Sequence, residues 1–202
     1  MDLATGKSVL DDPRWRTFNE AGFACSCGQR HVGLFPIHIA APAGWSGPKE
    51  YQDDAALTLD GNFLSNSYCV SEGKYFAARM FLPLQMHGAA PAAFSFTVWA
   101  SMERADFEAL ATARKNGTAN NRVQARARLV NRLSGFANTM NLMGASFQQE
   151  DRPISLLLIA GPQLPELQNH ELIQQQKDGI DVNRMLELFA AYGHDMRAAA
   201  GA

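Results

Sequence analysis

Cysteine is scarce in this 202-residue sequence: there are three, at positions 25, 27 and 69. That is too few, and an odd number, for a disulfide framework. The opening MDLATGKSVLDDP contains no apolar run, so it does not read as a secretory signal. Long hydrophobic stretches are also missing. The longest, Ile154 to Ala160, is broken by Ser155 and is far too short to span a bilayer. Charge of one sign is not in excess, and the formal net charge of −2 gives no global pull toward nucleic acid or membrane. The serine-hydrolase elbow, the P-loop, the G-x-G-x-x-G fingerprint and the H-E-x-x-H metal pair are all absent. These absences point to a cytoplasmic protein with neither a membrane nor a nucleic-acid partner, and they leave catalysis without a signature.

What is present fits one folded unit. An apolar fraction of 47% and a charged fraction of 19% are ordinary for a globular chain, and this length buries a core without disulfides or metal. Residues 1–12 read as a flexible leader, 13–195 as a single domain, and 196–202, ending AAAGA, as a flexible tail.

Local patterns set the fold class. VGLFPIHI is a strand expected at an edge because of Pro36. SYCVSEGKYFAARMFLPL reads as a β-hairpin turning at Glu72-Gly73, and FSFTVWA alternates as a half-buried strand. Ser101 is expected to cap a helix over SMERADFEALATARK. NRVQARARLVNRL is expected to be helical, and PISLLLI to be a buried strand. Asn169 could cap HELIQQQK, and Asp181 a last helix with Val182, Met185, Leu186, Phe189 and Tyr192 in one apolar stripe. Strands followed by helices, without regular alternation, predict an α+β domain: a largely antiparallel sheet with helices on one face.

Three groups of residues could carry function. Cys25-Ser26-Cys27-Gly28 followed by His31 offers thiolates and an imidazole, which zinc prefers. The usual half-site is C-x-x-C, however, and here one residue separates the thiols. The spacing therefore predicts a spoiled knuckle and no bound metal; were zinc held, Cys69, His38 or His87 would have to complete the set, Cys69 first. The second group is the basic run Arg114, Lys115, Arg122, Arg126, Arg128 and Arg132. Its spacing on a helix would pair Arg122 with Arg126 and Arg128 with Arg132, read as a solvated face. The third is the histidines, of which His170 stands at an expected helix start.

Taken together, FACSCGQRH, SYCVSEGKYFAARMFLPL, FTVWASMERADFEAL, RLVNRLSGFANTMNL and NHELIQQQKDGI resemble an uncharacterised bacterial family, domain of unknown function 2199. The similarity runs from about Phe23 to about Phe189. The family commonly opens C-x-x-C-G-x-x-H, which implies a small metal knuckle or its relic. Cys27, Gly28 and His31 keep step with that opening, while Cys25 sits one position too close. The resemblance also matches His170, Gln176, Lys177 and Gly179-Ile180, with Arg79 and Trp99 where the family tends to have arginine and tryptophan. Residues 112–128 look like an insertion. No activity, substrate or cofactor comes with the resemblance. The leading expectation is a small cytosolic interaction domain, of accessory, regulatory or immunity type, that binds another protein without catalysis and without a cofactor. The alternatives are a small-molecule binder or enzyme with a pocket around Arg79, Trp99, His170 and Gln176, and a zinc module built on Cys25, Cys27 and His31.

Overall fold

The computed structural model describes residues 8–117, 125–147, 153–159 and 167–195. It is an α+β domain built on one large, mostly antiparallel sheet and a separate two-stranded hairpin. The hairpin pairs β1 (Phe23–Ala24) with β2 (Arg30–His31). The large sheet contains β3 (Ile37–His38), β4 (Phe63–Leu64), β5 (Tyr68–Ser71), β6 (Tyr75–Gln85), β7 (Ala93–Met102), β8 (Arg126–Leu129), β9 (Met143–Phe147) and β10 (Ser155–Leu158). The helices are α1 (Pro13–Glu20), α2 (Arg104–Lys115), α3 (Glu171–Asp178) and α4 (Val182–Ala191).

The expected hairpin is β5–β6, turning at Glu72 and Gly73 with φ of 55° and 64°. β6 and β7 form the longest ladder, ten pairs from Phe76–Met102 to Gln85–Ala93. From β7 the sheet continues through β8, β9 and β10, and β10 returns to β6 by one parallel pair, Ser155–Phe81. Five strands thus close on themselves. The Gln176 side chain reinforces that seam: its amide nitrogen donates to the Pro83 and Leu156 carbonyls, and its oxygen accepts from Leu158 N at 2.7 Å. At the other end, β3 pairs parallel with β7 and bounds the sheet, where Pro36 led us to expect an edge.

Period-two alternation decides which side is which. Phe76, Ala78, Met80, Leu82 and Leu84 of β6 share the main core with Phe107 and Leu110 of α2, Leu172 and Ile173 of α3, and Met185 and Phe189 of α4. The intervening residues face the other way. There Cys69, Ala77 and Trp99 make a smaller cluster with Leu64, and Trp45 from the 40–52 connection packs against its side.

Four local expectations need correction. The stretch around RARLV is a strand, not a helix: Ala127 and Leu129 are buried while Arg126 and Arg128 are exposed, so its alternation is that of a strand. Arg122 and the NGTANN break lie outside the described residues, apart from Asn116 and Gly117, which end α2. Ser101 belongs to β7, and α2 is capped by Glu103 without a side-chain bond. The cap of α3 is His170, whose Nδ1 accepts from Leu172 N at 3.1 Å, rather than Asn169. Finally, Val9, expected within a loose leader, is packed into the fold. Val9 is buried in a 3-10 turn and its N–H donates to the His87 carbonyl, because an apolar residue there completes the core. Asp181 does cap α4, accepting from Arg184 N at 2.8 Å.

Candidate metal centre

The β1–β2 hairpin carries the cysteines in its loop. Phe23 pairs with His31, so the return strand brings the imidazole back beside the loop it has just left. Between them, Gly28 N donates to the Cys25 carbonyl and Cys25 N to the Gln29 carbonyl, a tight turn that requires φ of 85° at Gly28. The turn draws both thiols to one side, and Cys27 N–H points at Cys25 Sγ at 3.4 Å. Cys25 is buried and Cys27 is exposed.

The fourth group comes from the other end of the chain. After α4, Gly193 takes φ of 81° and sets His194 against the hairpin. Ser26 locks the two segments together: its hydroxyl donates to the Gly193 carbonyl at 3.0 Å and accepts from Asp195 N at 2.9 Å. Phe35 packs on both imidazoles, 4.4 Å from His31 and 5.1 Å from His194 between ring centroids, and also on Phe189 of α4 at 4.6 Å. The site is therefore attached to the core through an aromatic column.

Cys25 Sγ lies 3.4 Å from His194 Nδ1, and Cys27 Sγ lies 3.2 Å from His31 Nε2. One ligand atom from each of Cys25, Cys27, His31 and His194 falls within 4.8 Å of every other. Tetrahedral Zn–S and Zn–N bonds place neighbouring ligand atoms roughly 3.3–3.8 Å apart. The sulfur–nitrogen separations of 3.4 and 3.2 Å lie at or just under the short end of that range, and the widest needs to close by about 1 Å. The electrostatics suit a cation as well. Burial lowers the His194 pKa, helped by the charge of His31, and so favours the neutral, metal-binding imidazole. Burial, and the neighbouring Cys27 thiol after it, push the Cys25 thiol up; a cation would reverse this by stabilising the thiolate.

One-residue spacing does not keep the thiols from a common point, because the turn aims both toward His31 and His194. Nor does Cys69 supply the fourth group. It sits on β5 in the smaller cluster, and burial alone raises its thiol to about 12. His38 lies on β3 beside Thr97, and the His87 imidazole meets the Asp178 carbonyl through Nε2. His194 was missed by sequence reasoning. Its only local signal is a histidine after a glycine that ends an amphipathic helix.

The four residues proposed to share a pocket fall into two pairs. Arg79 and Trp99 are cross-strand partners on the smaller-cluster face. The Arg79 guanidinium lies between the rings of Tyr51 (5.0 Å) and Trp99 (4.8 Å) and donates to the Ala40 carbonyl and the Tyr51 hydroxyl. His170 caps α3 and Gln176 holds the β6–β10 seam, so both are engaged with backbone. In the basic run, Arg114 and Lys115 end α2 while Arg126 and Arg128 are exposed on β8.

Fold and site together define a small α+β domain whose hairpin and C-terminal segment present two thiols and two imidazoles to one point. The chain belongs to a family of uncharacterised proteins conserved in bacteria, domain of unknown function 2199, whose model matches residues 24–180. Cys25, Cys27 and His31 fall within that match and His194 beyond it. No curated protein and no solved structure matches the chain. Among the described residues, no helix is long and apolar enough to cross a membrane.

Proposed function

We propose that this chain is a zinc-binding domain in which Cys25, Cys27, His31 and His194 hold one ion as a closed centre. The observation that carries the reading is the convergence of four ligand atoms, drawn from both ends of the fold, within 4.8 Å of one another. With four protein ligands there is no open position for water or substrate, so the role is architectural rather than catalytic. The ion would fasten the β1–β2 hairpin to the segment after α4, a junction otherwise held by Ser26 and the packing of Phe35. A thiol nucleophile is the rival reading of the same residues, since Cys27 and His31 are within hydrogen-bonding reach. That chemistry makes no use of a second thiol and a second imidazole at the same point; a tetrahedral ion uses all four. In this reading the domain acts as a metal-braced scaffold in its bacterial host, consistent with an accessory or regulatory role.

The test is metal analysis of protein purified under reducing conditions without added chelator. About one zinc per chain is expected, falling sharply in Cys27→Ser and in His194→Ala, with chelation lowering the melting temperature of the parent alone. Metal-free protein with reduced thiols, unable to take up added zinc, would overturn the reading.

A further inference from the structure

On the face of the sheet opposite the helices, a row of paired residues crosses four strands, with small side chains on three of them. Arg128 of β8 pairs with Ser101 of β7, Ser101 with Ala77 of β6, and Ala77 with Cys69 of β5. Residues directly opposite each other on paired strands project to the same face, so the side chains of this row share one side. Serine, alanine and cysteine are too short to fill the space above the sheet. The result is a hollow of about 540 Å³ beneath the 40–52 connection, within the range of small-molecule sites.

The walls are aromatic and partly fixed in advance. Trp45 packs against the Cys69–Ala77–Trp99 cluster, and its indole donates to the Pro48 carbonyl at 2.9 Å. Gly47 lies flat against the same ring: a Cβ there would come within 2.3 Å of the indole, so glycine is required for this fit. Tyr75 stands on the rim with 70% of its surface exposed. The charge at the site is unbalanced. Glu72 on the rim has Lys74 at 3.9 Å, whereas the exposed Arg128 has no carboxylate partner among the described residues. Glu72 and Asn141, the two non-glycine residues with positive φ among the described residues, both border this hollow.

We infer that the hollow between Trp45, Tyr75 and Arg128 is a binding site for a small aromatic carboxylate. The ring lies over the Ser101–Ala77–Cys69 floor against Trp45 and Tyr75, and the carboxylate meets the Arg128 guanidinium. Arginine suits this role because its planar fork matches a carboxylate bidentately. Aromatic walls favour a flat, apolar body, and the short floor residues set its thickness. The site shares no residue with the Cys25–His194 cluster, so its test is independent of the metal.

The experiment is ligand-detected NMR and calorimetry on the full chain as purified. The probes are indole-3-acetate, 4-hydroxybenzoate and phenylacetate, each beside its neutral amide. At least one acid should bind saturably and about tenfold or more tighter than its amide, the advantage expected of a charge-assisted contact. Arg128→Gln should abolish that preference while leaving the melting temperature unchanged, because the side chain is exposed. Ser101→Leu, which raises the floor, should remove binding of acid and amide alike; Tyr75→Ala, at an exposed position, should weaken both and serves as the wall variant if Ser101→Leu fails to fold. Failure of all three acids to bind would overturn the proposal. So would equal binding of acid and amide, or a preference that survives Arg128→Gln.

Discussion

Truncating Phe189 to alanine removes the side chain that joins the core to the candidate metal centre. Phe189 is fully buried on α4. Its ring lies 4.6 Å from Phe35, 5.0 Å from Phe94, 6.2 Å from Phe18 and 6.4 Å from His194. A buried phenylalanine cut to alanine costs about 3–5 kcal/mol through lost transfer free energy and the cavity left behind. The surrounding aromatic contacts, each contributing about 0.5–1.5 kcal/mol beyond area burial, place this site toward the upper end. For a domain of this size, about 4–5 kcal/mol corresponds to a melting temperature lower by roughly 8–20 °C. Circular dichroism melts in excess chelator would isolate the packing effect from any metal, and urea unfolding would give the same loss from the midpoint. A fall of less than about 2 °C would refute the packing argument, because it would mean that the cavity costs no more than about a third of what buried aromatics cost elsewhere.

Asp181→Ala should cost about 0.5–2 kcal/mol, since its carboxylate accepts from Arg184 N at the start of α4; an unchanged urea midpoint would contradict that role. Arg126→Gln with Arg128→Gln should alter stability by about 0.5 kcal/mol at most, because both side chains are exposed on β8. Salt-sensitive retention on a nucleic-acid column, present in the parent and lost in this double variant, would show that the two arginines bind phosphate. Cys69 should resist iodoacetamide at pH 8 until denaturant is added, because burial raises its thiol to about 12 and the thiolate is the reactive form. The linked stability has a definite sign. Its folded pKa lies above the unfolded value near 8.5, so the contribution is intact below about pH 8.5 and is lost as pH rises toward about 12. Native labelling of Cys69 as fast as that of Cys27 would contradict its burial.

Much of the scaffold was legible because it is written in short-range patterns. The β5–β6 turn is announced by Glu72-Gly73, β7 by the alternation of Phe94, Phe96 and Val98, and α4 by a stripe of Val182, Met185, Leu186 and Phe189, all of which are buried. The RARLV segment misled because Arg126 and Arg128 each stand four residues from another arginine, at 122 and 132, and a short run fits both periods; pairing with β7 and β9 selects the strand. Closure of the five strands rests on one parallel pair and on Gln176, neither of which leaves a local trace. The candidate metal site was half visible. Cys25, Cys27 and His31 are near one another in sequence, but His194 lies 169 residues from Cys25, and only the return of α4 across the core brings it into reach. The hollow under Trp45 was hidden for a similar reason, since its floor takes one small residue from each of three strands.

The ligand set can be read directly by zinc K-edge X-ray absorption on the purified protein. A four-coordinate shell of two sulfurs near 2.3 Å and two imidazole nitrogens near 2.1 Å is expected. In His194→Ala, one nitrogen should be replaced or the metal lost. A shell of oxygen and nitrogen without sulfur, or one that His194→Ala leaves unchanged, would contradict the claim that these four residues form the centre.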